Sequence, residues 1–262
     1  MNEEEDKFLK IAKQAAFEAG EIISGFIGKK HEFSYKNNDK SNFATKADIE
    51  AEKAIVKLIK SNFPTHNIIA EEDTRISQDS EYTWVIDPLD GTISFATNVP
   101  YFGVSIGLLK DNRPILGVIY NVSFKKLYWA QEGKGAYLNN KKISVSNKKT
   151  LDESVGVLDF GHNYKRQQKI DLYITSLITK IGYAYSFGAA VSSLGMVAEG
   201  IIDLDVNQAW IWDFVAGTVI VREAGGMVTD FEGAEPDWSK DRLNLIASNG
   251  LIHDKILRGL KS

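Results

Sequence analysis

Near the N-terminus, apolar residues recur at helical spacing. Phe8, Ile11, Ala15, Ala19, Ile22 and Phe26 share one face of a helix predicted over residues 4–27, and Gly28 supplies its stop. Residues 31–42 are polar and rich in Lys and Asn, so they read as an exposed, mobile loop. A second helix follows, with Ile55, Leu58 and Ile59 on one face. Thr45 and Asp48 have capping-box spacing at its start, Asp standing in for the usual Glu or Gln.

The period then changes. Residues 67–70 and 82–86 are short apolar runs bounded by polar or turn residues, and each reads as a buried strand. Residues 103–109 and 115–121 predict strands joined by a turn at Asp111-Asn112-Arg113, and 126–130 continue the sheet. In the second half, 170–181 and 189–198 predict helices and 201–206 a strand. A helix over 214–224 ends at Gly225-Gly226. Short strands at 227–230 and 243–247 precede a helical tail at 252–260. Mixed strands and helices imply an α/β or α+β class with layered sheets. Composition turns polar near 144–152, a soft division without a long linker. The 262 residues are therefore expected to form one catalytic unit, 1–262, of two tightly packed subdomains, complete as a small protein.

Composition excludes several classes. Without cysteine there are no disulfides, thiolate metal sites or thiol nucleophile. The formal net charge is -4, and Lys and Arg are scattered rather than clustered, so no nucleic-acid footprint is present. The acidic start lacks the basic and apolar segments of a secretory signal. No apolar run reaches the roughly 20 residues a membrane span needs. These features are compatible with a cytoplasmic protein.

The candidate chemistry lies in three acidic clusters at the ends of apolar runs. They are Glu71-Glu72-Asp73 after Ala70, Asp87-Pro88-Leu89-Asp90-Gly91-Thr92 after Ile86, and Asp213 after Trp212. Taken singly, Asp213 and Asp48 read as helix caps and Glu71-Glu72-Asp73 as a solvated loop. The set points elsewhere, because acidic segments at the carboxyl ends of neighbouring strands are where sites in α/β sheets form. Asp87 precedes a proline and is biased to extended backbone. Gly91 permits close approach or a positive φ. Two aspartates on a bent segment can converge on a hard cation such as magnesium, with the Leu89 carbonyl as a further oxygen. Amides of Gly91 and Thr92 can face an anionic oxygen. His31, His66, His162 and His253 match no metal-ligand spacing and read as surface or structural.

In this order the residues resemble the inositol monophosphatase family of lithium-sensitive, metal-dependent phosphatases, over nearly the whole chain. The strongest pieces are Trp84-Val85-Ile86-Asp87-Pro88-Leu89-Asp90-Gly91-Thr92, and Trp212-Asp213 followed by Ala216-Gly217 and Glu223-Ala224-Gly225-Gly226. Ala70-Glu71-Glu72, Thr45-Lys46-Ala47-Asp48 and Gly133-Lys134-Gly135-Ala136 support them. The resemblance implies a layered αβαβα sandwich of the sugar-phosphatase type and a homodimer. It implies one magnesium on Glu71, Asp87 and the Leu89 carbonyl, and a second on Asp87, Asp90 and Asp213. A third, looser ion is assigned to Glu71. Thr92, paired with Asp48, would orient and deprotonate the attacking water, and the Gly91 and Thr92 amides would hold the phosphate. Asp90 and Asp213 would also border the substrate. No covalent phosphoenzyme is required. Lys36 and Lys40 could close over the third metal and the phosphate.

Two departures touch substrate choice. Where many members carry Gly-Ser-Ala or Gly-Thr-Ala after an Arg, this chain has Gly188-Ala189-Ala190 after Tyr185. Where members place a Glu just before the Trp-Asp pair, the nearest equivalent is Asn207. The expected activity is hydrolysis of small soluble phosphate esters of the inositol monophosphate kind. Fructose-1,6-bisphosphate, the 2′-phosphate of NADP and 3′-phosphonucleotides are the alternatives. A non-catalytic regulatory protein is a remote one, because such a protein should have lost one of Glu71, Asp87, Asp90, Thr92 or Asp213.

Overall fold

The computed structural model describes residues 3–30, 32–36, 39–161 and 163–261. The chain begins with α1 (Glu3–Ser24), the hairpin β1 (Phe33–Lys36) and β2 (Asp39–Thr45), and α2 (Lys46–Asn62). Next come β3 (Asn67–Ala70), β4 (Arg75–Ile76), β5 (Tyr82–Asp90) and the short α3 (Thr92–Ala96). A meander follows: β6 (Gly103–Lys110), β7 (Arg113–Asn121), β8 (Lys126–Gln131), β9 (Ala136–Leu138) and β10 (Lys141–Lys142). The second half holds β11 (Val155–Leu158), α4 (Asn163–Lys169), a π turn at Ile170–Ile174 that runs on into α5 (Thr175–Leu177), and β12 (Tyr183–Tyr185). It closes with α6 (Ala190–Glu199), β13 (Leu204–Trp210), α7 (Ile211–Glu223), β14 (Met227–Thr229), β15 (Arg242–Ser248) and α8 (His253–Leu260).

Two sheets carry the architecture. One has eight strands in the order β10-β9-β8-β7-β6-β5-β3-β4, the other five in the order β12-β11-β13-β15-β14. Alternation along each strand decides which layer a side chain joins. On β5, Trp84 and Ile86 pack with Phe8 of α1 and Ile55 of α2, whereas Val85 points the other way, to Val215 and Ile220 of α7. On β15, Leu245 joins that central core and Ile246 faces outward to Tyr173 and Ile256. Three apolar cores therefore join five layers, the middle core filling both faces of the third: α1 and α2, the large sheet, α6 and α7, the small sheet, and α4, α5 and α8. This is the αβαβα order expected from the resemblance.

The structure departs from the sequence reading in several local places, and the helix expected over 170–181 is instead α4, the π turn and α5, ending at Leu177. Within residues 31–42, the expected loop holds a hairpin, stitched by Phe33, Tyr35 and Phe43, whose rings meet at 4.6 to 6.3 Å. His31, Asn37 and Asn38 lie outside the described residues, as does His162. The strand β5 does not stop at Ile86 but runs to Asp90. The strand β13 starts at Leu204, later than expected, and extends to Trp210. The two described histidines are structural. His66 accepts the Trp84 indole N–H at 3.1 Å, and His253 is held between Thr229 and Ser248 at 2.8 and 2.9 Å.

Candidate active site

β3 and β5 run parallel, with Ala70 opposite Ile86, so Glu71 and Asp87 leave the same sheet end side by side. The Glu71 amide donates to the Ile86 carbonyl at 3.1 Å and fixes this juxtaposition. Beyond it β5 bulges. Asp87 pairs with Ser105 and Asp90 with Gly103, so three steps on β5 match two on β6. Pro88, which has no N–H to give a ladder, sits inside the bulge. The extra residue brings Asp90 round to the side occupied by Asp87. Gly91 then turns the chain at φ +83, and a Cβ there would lie 2.7 Å from the Tyr101 carbonyl oxygen, so glycine is required.

The third carboxylate comes from the central layer. Asp213 lies in the first turn of α7 and accepts the Trp210 amide at 2.7 Å. It is thus a helix-start group, and it also faces the bulge. One oxygen each from Asp87, Asp90 and Asp213 lie within 4.8 Å of one another. Asp90 is held by the Val191 amide of α6 at 2.9 Å, and Asp87 accepts the Leu89 amide at 3.0 Å. Of the ten site residues singled out from the sequence, all but Asp48 line one cavity of about 950 Å³: Glu71, Asp87, Leu89, Asp90, Gly91, Thr92, Ala189, Asn207 and Asp213.

Asp48 reaches the site through Thr92. The Thr92 hydroxyl lies 3.0 Å from Asp48 Oδ1 and 3.2 Å from the Leu89 carbonyl. Asp48 Oδ2 accepts the Thr45 amide and hydroxyl, completing the expected capping box of α2. Fully buried, Asp48 has its carboxyl pushed up to about 6, chiefly by desolvation. Glu71 is not one of the three converging carboxylates. Lys36 of the hairpin holds it at 2.9 Å and holds Glu72 at 3.0 Å. Lys40 falls in β2.

Burial and mutual repulsion hold the carboxyls of Asp87 and Asp90 well above the usual range. Desolvation and the charge of Glu71 push Asp213 up to about 7. Hard oxygen donors crowded this closely are a fitting set for a divalent cation. Raised carboxyl pKa values contribute stability that is complete at low pH and is lost as pH rises through about 7. Metal-free protein should therefore melt higher at pH 6 than at pH 8. A divalent cation such as magnesium would compete with those protons, so the rise in Tm it causes should be larger at pH 8. Differential scanning fluorimetry with and without magnesium reads both. Equal increments at the two pH values would contradict the assignment.

The sequence reading missed one wall of the cavity. Asp159 follows β11 just as Asp87 follows the apolar part of β5, but the short β11 was not anticipated. Asp159 pairs with Lys169 at 2.7 Å, and both are largely buried. Lys165, Arg166, Trp210 and Arg242 also line the cavity.

Comparison with known proteins agrees with this geometry. The model of the inositol monophosphatase family matches residues 4–262. A fructose-1,6-bisphosphatase/inositol-1-monophosphatase of Aquifex aeolicus is 37% identical over 257 residues, 97% of this chain and 96% of that one. An inositol-1-monophosphatase of a Synechocystis species is 36% identical over 263 residues, 97% and 88% of the two chains. Among solved structures, the extragenic suppressor protein suhB of Bartonella henselae superposes with a TM-score of 0.89 at 32% identity, over 98% of this chain and 99% of that one.

Proposed function

The chain belongs to the inositol monophosphatase family, and on that premise we propose that it is a magnesium-dependent phosphomonoesterase acting on small, soluble phosphate esters. The observation that carries this reading is the convergence of Asp87, Asp90 and Asp213 within 4.8 Å beside the Thr92–Asp48 pair. Asp87, Asp90 and Asp213 would hold one ion, and Asp87, Glu71 and the Leu89 carbonyl another, with Glu71 free to serve a third once Lys36 releases it. When bound, magnesium neutralises phosphate charge, acidifies water and stabilises the leaving alkoxide.

The chain's own groups do the rest. The Gly91 and Thr92 amides orient the phosphate. Thr92 donates its hydroxyl proton to Asp48 and so offers a lone pair to the attacking water. As the water oxygen bonds to phosphorus, its proton passes to Thr92 and the Thr92 proton to Asp48. A carboxyl near 6 suits that role at neutral pH. The ester P–O bond breaks opposite the incoming oxygen, and the released alcohol takes its proton from solvent. Asp48, Thr92, Glu71 and the metal carboxylates are all retained, which weighs against a purely regulatory protein.

We further propose a homodimer working in the cytoplasm; no helix among the described residues is long and apolar enough to cross a membrane. Lithium should inhibit by entering the Asp87–Asp90–Asp213 site. Substrate choice should be broad. Ala189 and Asn207 lack the hydroxyl and the carboxylate that would fix a polyol, and a site without such groups discriminates weakly. A phosphate-release assay with magnesium, comparing inositol monophosphate, fructose-1,6-bisphosphate and NADP, should find inositol monophosphate accepted but not clearly best. A preference for it of about a hundredfold or more would overturn this reading of specificity.

A further inference from the structure

Helix α2 carries two buried carboxylates one turn apart, Asp48 and Glu52. Like charges at this spacing oppose each other on a helix, and burial makes the arrangement costlier. Asp48 has a part in the chemistry through Thr92. Glu52 has none so far, and it lies outside the cavity.

Its hydrogen bonds show what it does. Glu52 Oε2 accepts the Glu72 amide at 2.8 Å. Its Oε1 accepts the Asp73 amide at 3.2 Å, the Thr74 amide at 3.0 Å and the Thr74 hydroxyl at 2.7 Å. These donors belong to the loop that joins β3 to β4. The remaining amides there are engaged as well, since Ala70 donates to the Thr74 carbonyl at 2.9 Å and Glu71 to the Ile86 carbonyl at 3.1 Å. The backbone around Glu71 is therefore fixed on both sides, by β5 before it and by Glu52 after it.

That loop would otherwise be loose. Glu71, Glu72 and Asp73 are three successive carboxylates, which repel one another and gain most from solvent. Amides that donate to an ionised carboxylate make bonds about twice as strong as neutral ones, so Glu52 can outweigh that repulsion. Lys36 holds the Glu71 and Glu72 side chains from the hairpin. Glu52 holds the backbone from α2, and its grip does not depend on Lys36 staying in place.

We propose that Glu52 is a positioning residue of the active site, which sets Glu71 at a fixed place relative to Asp87 and to the Thr92–Asp48 pair. One helix turn thus registers two parts of the site: Asp48 holds Thr92, and Glu52 holds the loop of Glu71. Glu52 touches neither substrate nor the reacting atoms and acts through Glu71. The inference rests on the reading of Glu71 as an oxygen donor to a cation in the phosphatase site.

The test compares the wild type with Glu52→Gln, Glu71→Gln, the double variant and Thr74→Val. A carboxamide presents N–H groups where one carboxylate oxygen now accepts, so Glu52→Gln sets donor against donor. Amide exchange of residues 72–74 in the metal-free protein should speed up, while the amides of α7 stay protected. The magnesium concentration for half-maximal phosphate release should rise about tenfold or more, and most of kcat should return at saturating magnesium. The rise in Tm at a fixed, subsaturating magnesium concentration, read without substrate, should shrink. Thr74→Val removes one of the four donors and should move each readout the same way by less. It decides the matter alone if Glu52→Gln does not fold. In the Glu71→Gln background, Glu52→Gln should raise the magnesium requirement no further, because both changes act on one group. A merely structural role would lower Tm and kcat at every magnesium concentration and would add to the effect of Glu71→Gln. In a chain that releases no phosphate from any ester, a magnesium-induced Tm rise that shrinks in Glu52→Gln but not further in the double variant would support the positioning role and defeat only the phosphatase reading. An unaltered magnesium requirement and Tm rise despite fast exchange at residues 72–74, or additive losses in the double variant, would overturn it.

Discussion

Asp90→Asn should abolish most activity, lowering kcat on the order of 10³-fold, while the fold stays in place. The magnitude comes from the several kcal/mol that bound cations supply to a phosphoryl-transfer transition state, at about 1.4 kcal/mol for each factor of ten. Asp90 is one of only three carboxylates whose oxygens lie within 4.8 Å of one another among the described residues. The fold should survive because the carboxamide oxygen of an Asn can still accept the Val191 amide that now binds Asp90 at 2.9 Å. Removing one buried like charge also relieves the repulsion on Asp87 and Asp213. The metal-free variant should therefore melt no lower than the wild type, and magnesium should raise its Tm by less. Phosphate release and fluorimetry at several magnesium concentrations test both statements. Retention of more than about a tenth of wild-type activity, or full wild-type activity in excess chelator, would remove the metal assignment.

The parts of the site legible in the sequence are those whose chemistry and geometry are local. Asp87-Pro88-Leu89-Asp90-Gly91-Thr92 carries its bend in its own residues, so both the carboxylates and the turn could be read together. The length of β5 could not. Its continuation to Asp90 depends on pairing with Gly103 of β6, a partner distant in sequence. The hairpin β1–β2 escaped because its Lys, Asn and Ser content looks like a solvated loop, while its stability comes from Phe33, Tyr35 and Phe43 meeting across strands. β13 was placed early because Ile201 and Ile202 are apolar, yet they belong to the turn after α6. Its true end, Asn207 to Trp210, is polar and aromatic because it lines the cavity. β11 is four residues long and includes Gly156, too weak a pattern to register, and with it went Asp159 and its partner Lys169. The converging carboxylates were thus readable from contiguous motifs. The wall that holds Asp159 and Lys169 is assembled by tertiary contacts.

Gly117→Ala should be the most disruptive single-methyl change where the large sheet meets α7, and it should impair the site from a distance. α7 lies directly on β6 and β7, where Gly107 and Gly117 leave room for its backbone. A Cβ at Gly117 would overlap the Ala216 carbonyl oxygen and lie 2.7 and 2.8 Å from the Ala216 carbonyl carbon and Cα. All three atoms are backbone, so no rotamer change relieves the clash, and the helix itself must lift. Overpacking of this kind costs about 3 kcal/mol. For a chain of this size that corresponds to a fall in Tm of roughly 6–12 °C. Asp213 sits on the same helix one turn before Ala216, so lifting α7 moves it away from Asp87 and Asp90. The variant should consequently need more magnesium for half-maximal activity, and part of its lost activity should return at high magnesium. Thermal melts and magnesium titrations of phosphate release check the two effects together. A Tm within about 2 °C of wild type, with an unaltered magnesium requirement, would show that α7 is not the rigid carrier of Asp213 that this packing implies.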